Sequence, residues 1–279
     1  MKKPDFRFID LFSGIGGFHL ALSNLGGKCV FACDIYEPAN DTYELNYGMV
    51  PEGDITEIDP KDIPDFEVLC AGFPCQAFSN VGPGGGLFDP RGALIFDVIR
   101  ILEGKKPKAF ILENVKGLLS QLKGQTFSVI KAELEKTGYR LYHEVLEAKD
   151  YGLPQIRKRL FIVGLRDDLD NSFSFPEKRD ELLYNFSEVM DGTVERKYAF
   201  TIRIGGRRSG INNRFNWDAY RVNGQVRYIT PDECKLLQGF PEKFRITGNQ
   251  VQQYKQIGNS VPVTIVQAIG EELIKARVF

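Results

Sequence analysis

Apolar residues in the first 165 positions come in short runs, separated by stretches of helical period. Residues 6–12, 29–33, 68–71, 109–112 and 160–165 are such runs. They are too short for helices and bounded by turn residues, so they predict strands. Between them, residues 18–24, 38–46, 93–103 and 126–137 predict helices. In the last of these, Phe127, Ile130 and Leu134 share one face and Gly138 follows as a C-terminal cap. Alternating strands and helices predict an α/β fold with an open, mostly parallel sheet covered on both faces.

The pattern changes near Arg166. Residues 167–227 are polar, rich in Arg and Asn, and without clear period, whereas helical patterning resumes at 231–237 and 263–276. The chain therefore reads as a large α/β domain, a small irregular one, and a return to the large one. The expected boundaries are 1–168, completed by 255–279, with 169–254 as the small domain.

Composition narrows the class. The 279 residues are 43% apolar and 26% charged, which is globular rather than disordered. No apolar run approaches the roughly 20 residues of a membrane span, and the N-terminus lacks a signal-peptide pattern. Five unpatterned cysteines predict a reduced, cytoplasmic chain with no disulfide scaffold. No structural metal is needed to fold a chain of this size, and none is expected. The net charge of −1 conceals an asymmetry. Residues 1–60 carry 4 basic and 10 acidic side chains, whereas 196–227 carry 8 basic and one acid, Asp218. A concentrated basic stretch suits a polyanionic partner, with a solvated surface as the alternative.

Several short segments carry chemistry. Asp10-Leu11-Phe12-Ser13-Gly14-Ile15-Gly16-Gly17 links a strand to a helix, and its glycines allow a ligand close to the backbone. Gly14 and Gly16 fit the dinucleotide fingerprint G-x-G-x-x-G, but its third glycine is replaced by His19. The loop thus suits a nucleoside cofactor without phosphates, or is simply a tight turn. Asp34 follows the second strand, where an acid commonly accepts from ribose hydroxyls or favours a helix N-terminus. Gly53-Asp54-Ile55 places another acid between apolar neighbours, able to accept from an adenine amino group or to form a turn.

Gly72-Phe73-Pro74-Cys75-Gln76 leaves the third strand at the end where such sheets bind ligands. Cys75 is the candidate nucleophile, whereas Cys29, Cys33, Cys70 and Cys234 lie in apolar patterns and read as core. Residues 77–92 form a long glycine-rich loop, a candidate lid. Glu113 follows the fourth apolar run, at the edge that Cys75 also leaves. Burial there would keep its carboxyl protonated, giving a nucleophile–acid pair; the alternative is a capping acid. Arg157 and Arg159, two apart in extended chain, face one side and can meet a base oxygen, a carboxylate or a phosphate.

The order and spacing of these segments resemble those of the DNA (cytosine-5)-methyltransferases of bacterial restriction–modification systems. The resemblance covers nearly all of residues 8–266 except roughly 170–225. It implies a Rossmann-like domain dependent on S-adenosylmethionine, plus a small target-recognition domain. It assigns Phe12, Gly14, Gly16 and Gly17, with Ser13 among them, to the cofactor loop, and Asp34 to the ribose, where Glu is more usual. Ile35 would lie beside the adenine, Asp54 read its amino group, and Ile55 belong to the same cofactor site. Pro74 and Leu94 would touch the cofactor, and Asn259, Ser260 and Val261 would close its pocket.

The same resemblance makes Cys75 the nucleophile at C6 of a flipped cytosine. Glu113 would bind its N3 and Arg159 its O2, with S-adenosylhomocysteine as the product. Residues 77–92 would be the flap. Thr201-Ile202 resembles the Thr-Leu signature of the recognition domain, which here is short. Double-stranded DNA is the implied partner, with Ser79, Thr201, Arg203, Arg207, Arg208 and Arg214 as expected contacts. A cognate endonuclease would act on the same site without binding this chain. The rivals are a transfer-RNA methyltransferase, whose Cys-Phe-Thr signature is absent here, a binding-only relative, and a nicotinamide oxidoreductase, which His19 disfavours.

Overall fold

The computed structural model describes residues 5–74, 94–179, 181–205, 208 and 210–279. Its central sheet comprises β1 (Phe6–Leu11), β2 (Gly27–Cys33), β3 (Val68–Ala71), β4 (Ala109–Val115), β5 (Tyr139–Glu147) and β6 (Lys158–Arg166). Their spatial order is β2-β1-β3-β4-β6-β5. The pairs β1–β2, β1–β3 and β3–β4 are parallel, and β6 runs antiparallel to both β4 and β5. The strand order reverses beside β1, which creates a crevice where ligands bind in open α/β sheets.

The helices are α1 (Gly17–Asn24), α2 (Glu37–Tyr47), α3 (Leu94–Lys105), α4 (Gln125–Lys136), α5 (Phe186–Val189), α6 (Pro231–Leu237), α7 (Gln250–Asn259) and α8 (Val263–Lys275). Period-2 alternation sorts the sheet onto two cores. Phe8, Val68, Cys70, Ala109 and Ile111 pack with Leu22, Ile265 and Ile269 of α1 and α8. Ile9, Leu11, Leu69, Ala71, Phe110 and Leu112 pack with Val98, Leu102, Ile130 and Leu134 of α3 and α4. Burial on both faces is why the parallel strands read as unbroken apolar runs. Gly270 lets α8 approach α1 closely, because a Cβ there would lie 2.6 Å from Leu25 Cδ1.

Apolar runs mark five of these strands but not β5. That strand lies at the sheet edge and is half-exposed along much of its length, so it carries no apolar run. The fourth run also predicts Glu113 to follow its strand, whereas β4 continues to Val115 and holds Glu113 within it.

Residues 169–230 are less irregular than their composition predicts. They contain α5 and a hairpin of β7 (Ala219–Val222) and β8 (Gln225–Tyr228). The hairpin turns through Asn223 and Gly224, with φ of 50° and 79°, the left-handed pair that an Asn-Gly turn supplies. Phe186, Trp217 and Tyr220 belong to the same core cluster as α8, and the Trp217 ring meets Tyr254 of α7 edge-on at 5.8 Å. The core is therefore continuous across the change in composition. Among the described residues, no helix is long and apolar enough to cross a membrane.

Candidate active site

Register brings the chemistry to one edge of the sheet. Leu11 pairs with Cys33 and Ala71, and Ala71 with Leu112, so β1, β2, β3 and the Glu113 level of β4 end together. The segment after Glu52 joins them, because Asp34 N donates to Glu52 O. Phe12, Asp34, Asp54, Gly72 and Glu113 thus emerge along one crevice.

The loop after β1 is wound through left-handed conformations at Phe12, Gly14 and Gly16, with φ of 53°, 52° and 79°. Gly16 is obligatory on a second count, since a Cβ there would lie 2.3 Å from the Tyr47 ring. Gly14 N donates to Asp34 Oδ2 at 2.8 Å, and Tyr36 N donates to Asp34 Oδ1. Asp34 therefore ties the two loops together, and burial raises its pKa against these donors. Asp54 caps a short turn, accepting from the amide and hydroxyl of Thr56, so the turn reading also holds there. Ile55 is buried beside it, whereas Ile35 is 73% exposed. Pro74 is exposed and Leu94 half-buried at the start of α3.

The C-terminal segment closes on this loop. A Cβ on Gly17 would lie 2.7 Å from Val261 Cγ2 and 2.9 Å from Ser260 Oγ. Residues far apart in the chain meet there because α8 packs on α1. Asn259 is exposed, and Ser260 and Val261 are buried.

His19, which breaks the dinucleotide fingerprint, stacks on Tyr47 at 3.9 Å and shares a 2.7 Å hydrogen bond with Tyr43 Oη. Burial lowers its pKa to about 4, so it is a neutral packing residue. Cys29, Cys33 and Cys70 are buried, and burial pushes the first two thiols up to about 12. They are inert thiols, as their apolar surroundings in the sequence predict.

Glu113 and Arg159 form a buried ion pair between β4 and β6 at this end of the sheet. Arg159 lies opposite Val115, so Glu113 is its diagonal neighbour on the same face. Arg159 Nε lies 2.8 Å from Glu113 Oε1. Burial raises the Glu113 pKa, with Arg159 and then Arg157 opposing it. A Cβ on Gly72 would meet Glu113 Oε2 at 3.7 Å, so the carboxyl lies against the turn leading to residue 75. The capping alternative for Glu113 is excluded by its place inside β4. Cys75, Ser79, Arg207 and the 77–92 loop lie outside the described residues.

Arg157 departs from expectation. It is 1% exposed and its guanidinium faces backbone: Nη2 donates to Gly258 O and Ser260 O, and Nη1 to Ile202 O. The two-residue spacing does bring it near Arg159; burial first, and then the Arg159 charge, lowers its pKa. Both Nη groups are thus spent on backbone rather than offered to a ligand, and Nε is buried without a partner among the described residues. Among the expected DNA contacts, Arg203, Arg208 and Arg214 are exposed. Thr201 instead donates its hydroxyl to Ile156 O.

Three further residues escaped sequence reading. Asp10 is wholly buried, burial raises its pKa, and neither of its carboxyl oxygens has a partner among the described residues. Its place on the α1 side of the sheet was legible from alternation with Ile9 and Leu11, but its isolation was not. Asn114 Nδ2 donates to Phe73 O at 2.9 Å and so fixes the turn before residue 75 from β4. Lys255 Nζ stands 3.8 Å over the Tyr36 ring, and its charge favours ionised Asp34.

The family model for C-5 cytosine-specific DNA methylase matches residues 6–213 and 192–275. The chain is 39% identical to the Type II methyltransferase M.DsaV of Dactylococcopsis salina, over 98% of this chain and 87% of that protein. It is 38% identical to the Type II methyltransferase M.HhaI of Haemophilus parahaemolyticus, over 94% of this chain and 92% of that one. The solved structure of the S. pombe Dnmt2 methyltransferase shares the fold, with a TM-score of 0.76 and 22% identity over 97% of this chain and 99% of that one. The glycine-wound loop, the Glu113–Arg159 pair and these matches have one common explanation: the chain belongs to the C-5 cytosine-specific DNA methylase family.

Proposed function

We propose that this chain transfers a methyl group from S-adenosylmethionine to C5 of cytosine within a short double-stranded DNA sequence. The observation that carries the reading is the buried Glu113–Arg159 pair, set against the Gly72 turn that leads into Cys75. The residues around the crevice fit the cofactor. The left-handed loop leaves room for a ligand at Gly14, where a Cβ would meet nothing within 4 Å. Ser13 Oγ is buried without a partner among the described residues. Phe12, Gly14, Gly16 and Gly17 would hold the methionyl side. Asp34 and Asp54 would take the ribose and adenine, with Ile35 and Ile55 beside the ring. Pro74, Leu94, Asn259, Ser260 and Val261 would complete the wall. When bound, S-adenosylmethionine supplies the electrophilic methyl group and leaves as S-adenosylhomocysteine.

The protein's own groups activate the base. Cytosine C5 is a poor nucleophile until a thiolate adds at C6. Cys75 Sγ forms that bond, and the C5=C6 electron pair becomes available at C5. Glu113 donates to N3, stabilising the charge that develops on the ring, and Arg159 holds both O2 and the Glu113 carboxyl in place. After methylation, a water takes the C5 proton, the C5=C6 bond re-forms, Cys75 leaves with the C–S electron pair, and N3 returns its proton to Glu113. Glu113 is buried at a sheet edge, out of reach of a stacked base, so the target leaves the duplex. Residues 169–254 would read the surrounding sequence, with Arg203, Arg207, Arg208 and Arg214 on DNA. Ser79 and Thr201 would be further DNA contacts. A cognate endonuclease would share the site without binding this chain.

The test is bisulfite sequencing of plasmid DNA from a methylation-free bacterial host expressing the chain in soluble form. Protected cytosines in one short context are expected, and none with Cys75→Ser, which should still bind S-adenosylhomocysteine. Full conversion with the unaltered protein overturns the reading.

A further inference from the structure

Arg157 has a partner set too particular for a space-filling role. Its guanidinium holds Gly258 O at 2.8 Å and Ser260 O at 2.7 Å, and reaches Ile202 O at 3.4 Å. The first two carbonyls flank Asn259, in the segment assigned to the cofactor. The third lies between Thr201 and Arg203, in the segment assigned to DNA. A planar guanidinium with five fixed donors is suited to holding several acceptors at once.

Two buried glutamines complete the joint. Gln155 Nε2 donates to Leu237 O at 2.8 Å, and Gln155 Oε1 accepts from Ile202 N at 3.4 Å. Gln238 Nε2 donates to Ile257 O and Ser260 O at 2.9 and 3.2 Å. Both glutamines are wholly buried. Residues 154–156 and 199–201 run side by side, linked by Ile156 N to Ala199 O and Ala199 N to Pro154 O. The two functional segments also touch directly: a Cβ on Gly258 would lie 3.4 Å from the Arg203 carbonyl carbon. Neither segment can shift without straining a hydrogen bond that the other shares. Each such bond is buried and costly to leave unmade.

We propose that Arg157, supported by Gln155 and Gln238, is a positioning residue that couples the cofactor-closing segment to the DNA-reading segment, so that occupancy of one site tightens the other. This rests on the methyltransferase reading. Coupling of this kind is reciprocal and typically amounts to about 5–150-fold in affinity.

The test measures affinity for a fluorescein-labelled duplex carrying the site found by bisulfite sequencing, with and without saturating S-adenosylhomocysteine. The unaltered protein should bind the duplex at least about 5-fold more tightly with the cofactor product. In Arg157→Lys and Gln238→Met the ratio should fall toward one, while S-adenosylhomocysteine alone still binds. A merely structural role would weaken both affinities and leave their ratio unchanged. An unchanged ratio in either folded variant, or a ratio of one in the unaltered protein, overturns the proposal. Should Arg157→Lys not fold, Gln238→Met decides. Methylation by the same preparation keeps the two readings apart. Activity with no coupling removes only this inference, whereas absent methylation and absent cofactor binding remove the function as well.

Discussion

Arg159 and Glu113 are joined across antiparallel strands, Nε to Oε1 at 2.8 Å, with both side chains almost out of solvent. The arrangement sets two opposed influences on one carboxyl: burial raises its pKa and the guanidinium restrains the rise. A carboxyl so placed can hold a proton for a ring nitrogen yet remain oriented by its partner. Glu113→Gln keeps the shape and a donor but cannot deliver a proton. It should lower kcat by about 10²–10⁴-fold, the usual contribution of a positioned acid. Methyl incorporation into DNA, with calorimetric titration of S-adenosylhomocysteine as a control, checks this. A variant with unimpaired kcat removes Glu113 from the chemistry.

Asp10 gives a pH prediction for stability. Burial raises its pKa, the His19 backbone opposes the rise, and the titratable groups around it are Cys29, Cys33, Cys70, Tyr43, Tyr47, His19 and Asp34. None of these neighbours offers a compensating cation, since burial holds His19 neutral above about pH 4. The native state therefore binds this proton more tightly than the unfolded chain does. Stability from Asp10 is full below the unfolded pKa and is lost as pH rises through the raised native value. Asp34 and Glu113 shift in the same direction and add to the slope. Asp10→Asn should flatten the fall in Tm between pH 5 and 8 by a few degrees, the scale of about 1 kcal/mol in a domain this large. Parallel Tm profiles for the two proteins would show that Asp10 ionises without cost.

Close approach at Gly17 predicts a cofactor defect. Alanine would suit a helix start, but its Cβ would stand 2.7 Å from Val261 Cγ2 and 2.9 Å from Ser260 Oγ. Overpacking of this kind costs about 1–3 kcal/mol. The strain falls on Ser260 and Val261, the segment proposed to close the cofactor pocket. Gly17→Ala should therefore raise the Kd for S-adenosylhomocysteine by about 10-fold, the equivalent of about 1.4 kcal/mol. Unchanged cofactor affinity, read by calorimetry, would place Ser260 and Val261 outside the pocket.

These cases show what local pattern can and cannot reveal. The parallel strands were legible because burial on both faces makes them apolar throughout. The meeting of Asp34 with the glycine loop was legible because strand ends in such sheets converge, whereas Glu113 lies inside β4 and not after it. Strand β5 was not, since an edge strand with half-exposed residues carries no run. The Asn223-Gly224 hairpin was marked by its turn pair, but the basic composition around it masked the signal. Arg157 was misassigned for a different reason. Its spacing from Arg159 is local information, whereas the carbonyls of Ile202, Gly258 and Ser260 that occupy it are brought there by the return of the chain.

The basic segment yields the last prediction. Arg208 adopts a left-handed conformation with φ of 57°, and its amide donates to the buried Asp218 at 2.9 Å. Arg214 lies 4.4 Å over the ring of Phe215, which is itself 53% exposed. In both cases the backbone or a neighbouring ring fixes the residue while the side chain stays at the surface. Removing the guanidinium leaves the Arg208 amide bond to Asp218 intact, so Arg208→Ala and Arg214→Ala should keep the native Tm. Each phosphate contact contributes about −0.9 to the slope of log K against log salt. Each substitution should therefore make that slope shallower by about 0.9 and weaken binding to all sequences alike. Fluorescence anisotropy between 50 and 200 mM salt, a range over which such contacts dominate, measures it. If weakening is confined to the methylated sequence and the slope stays unchanged, the arginine reads a base edge instead. If affinity does not change at all, the DNA surface lies on another face of the protein.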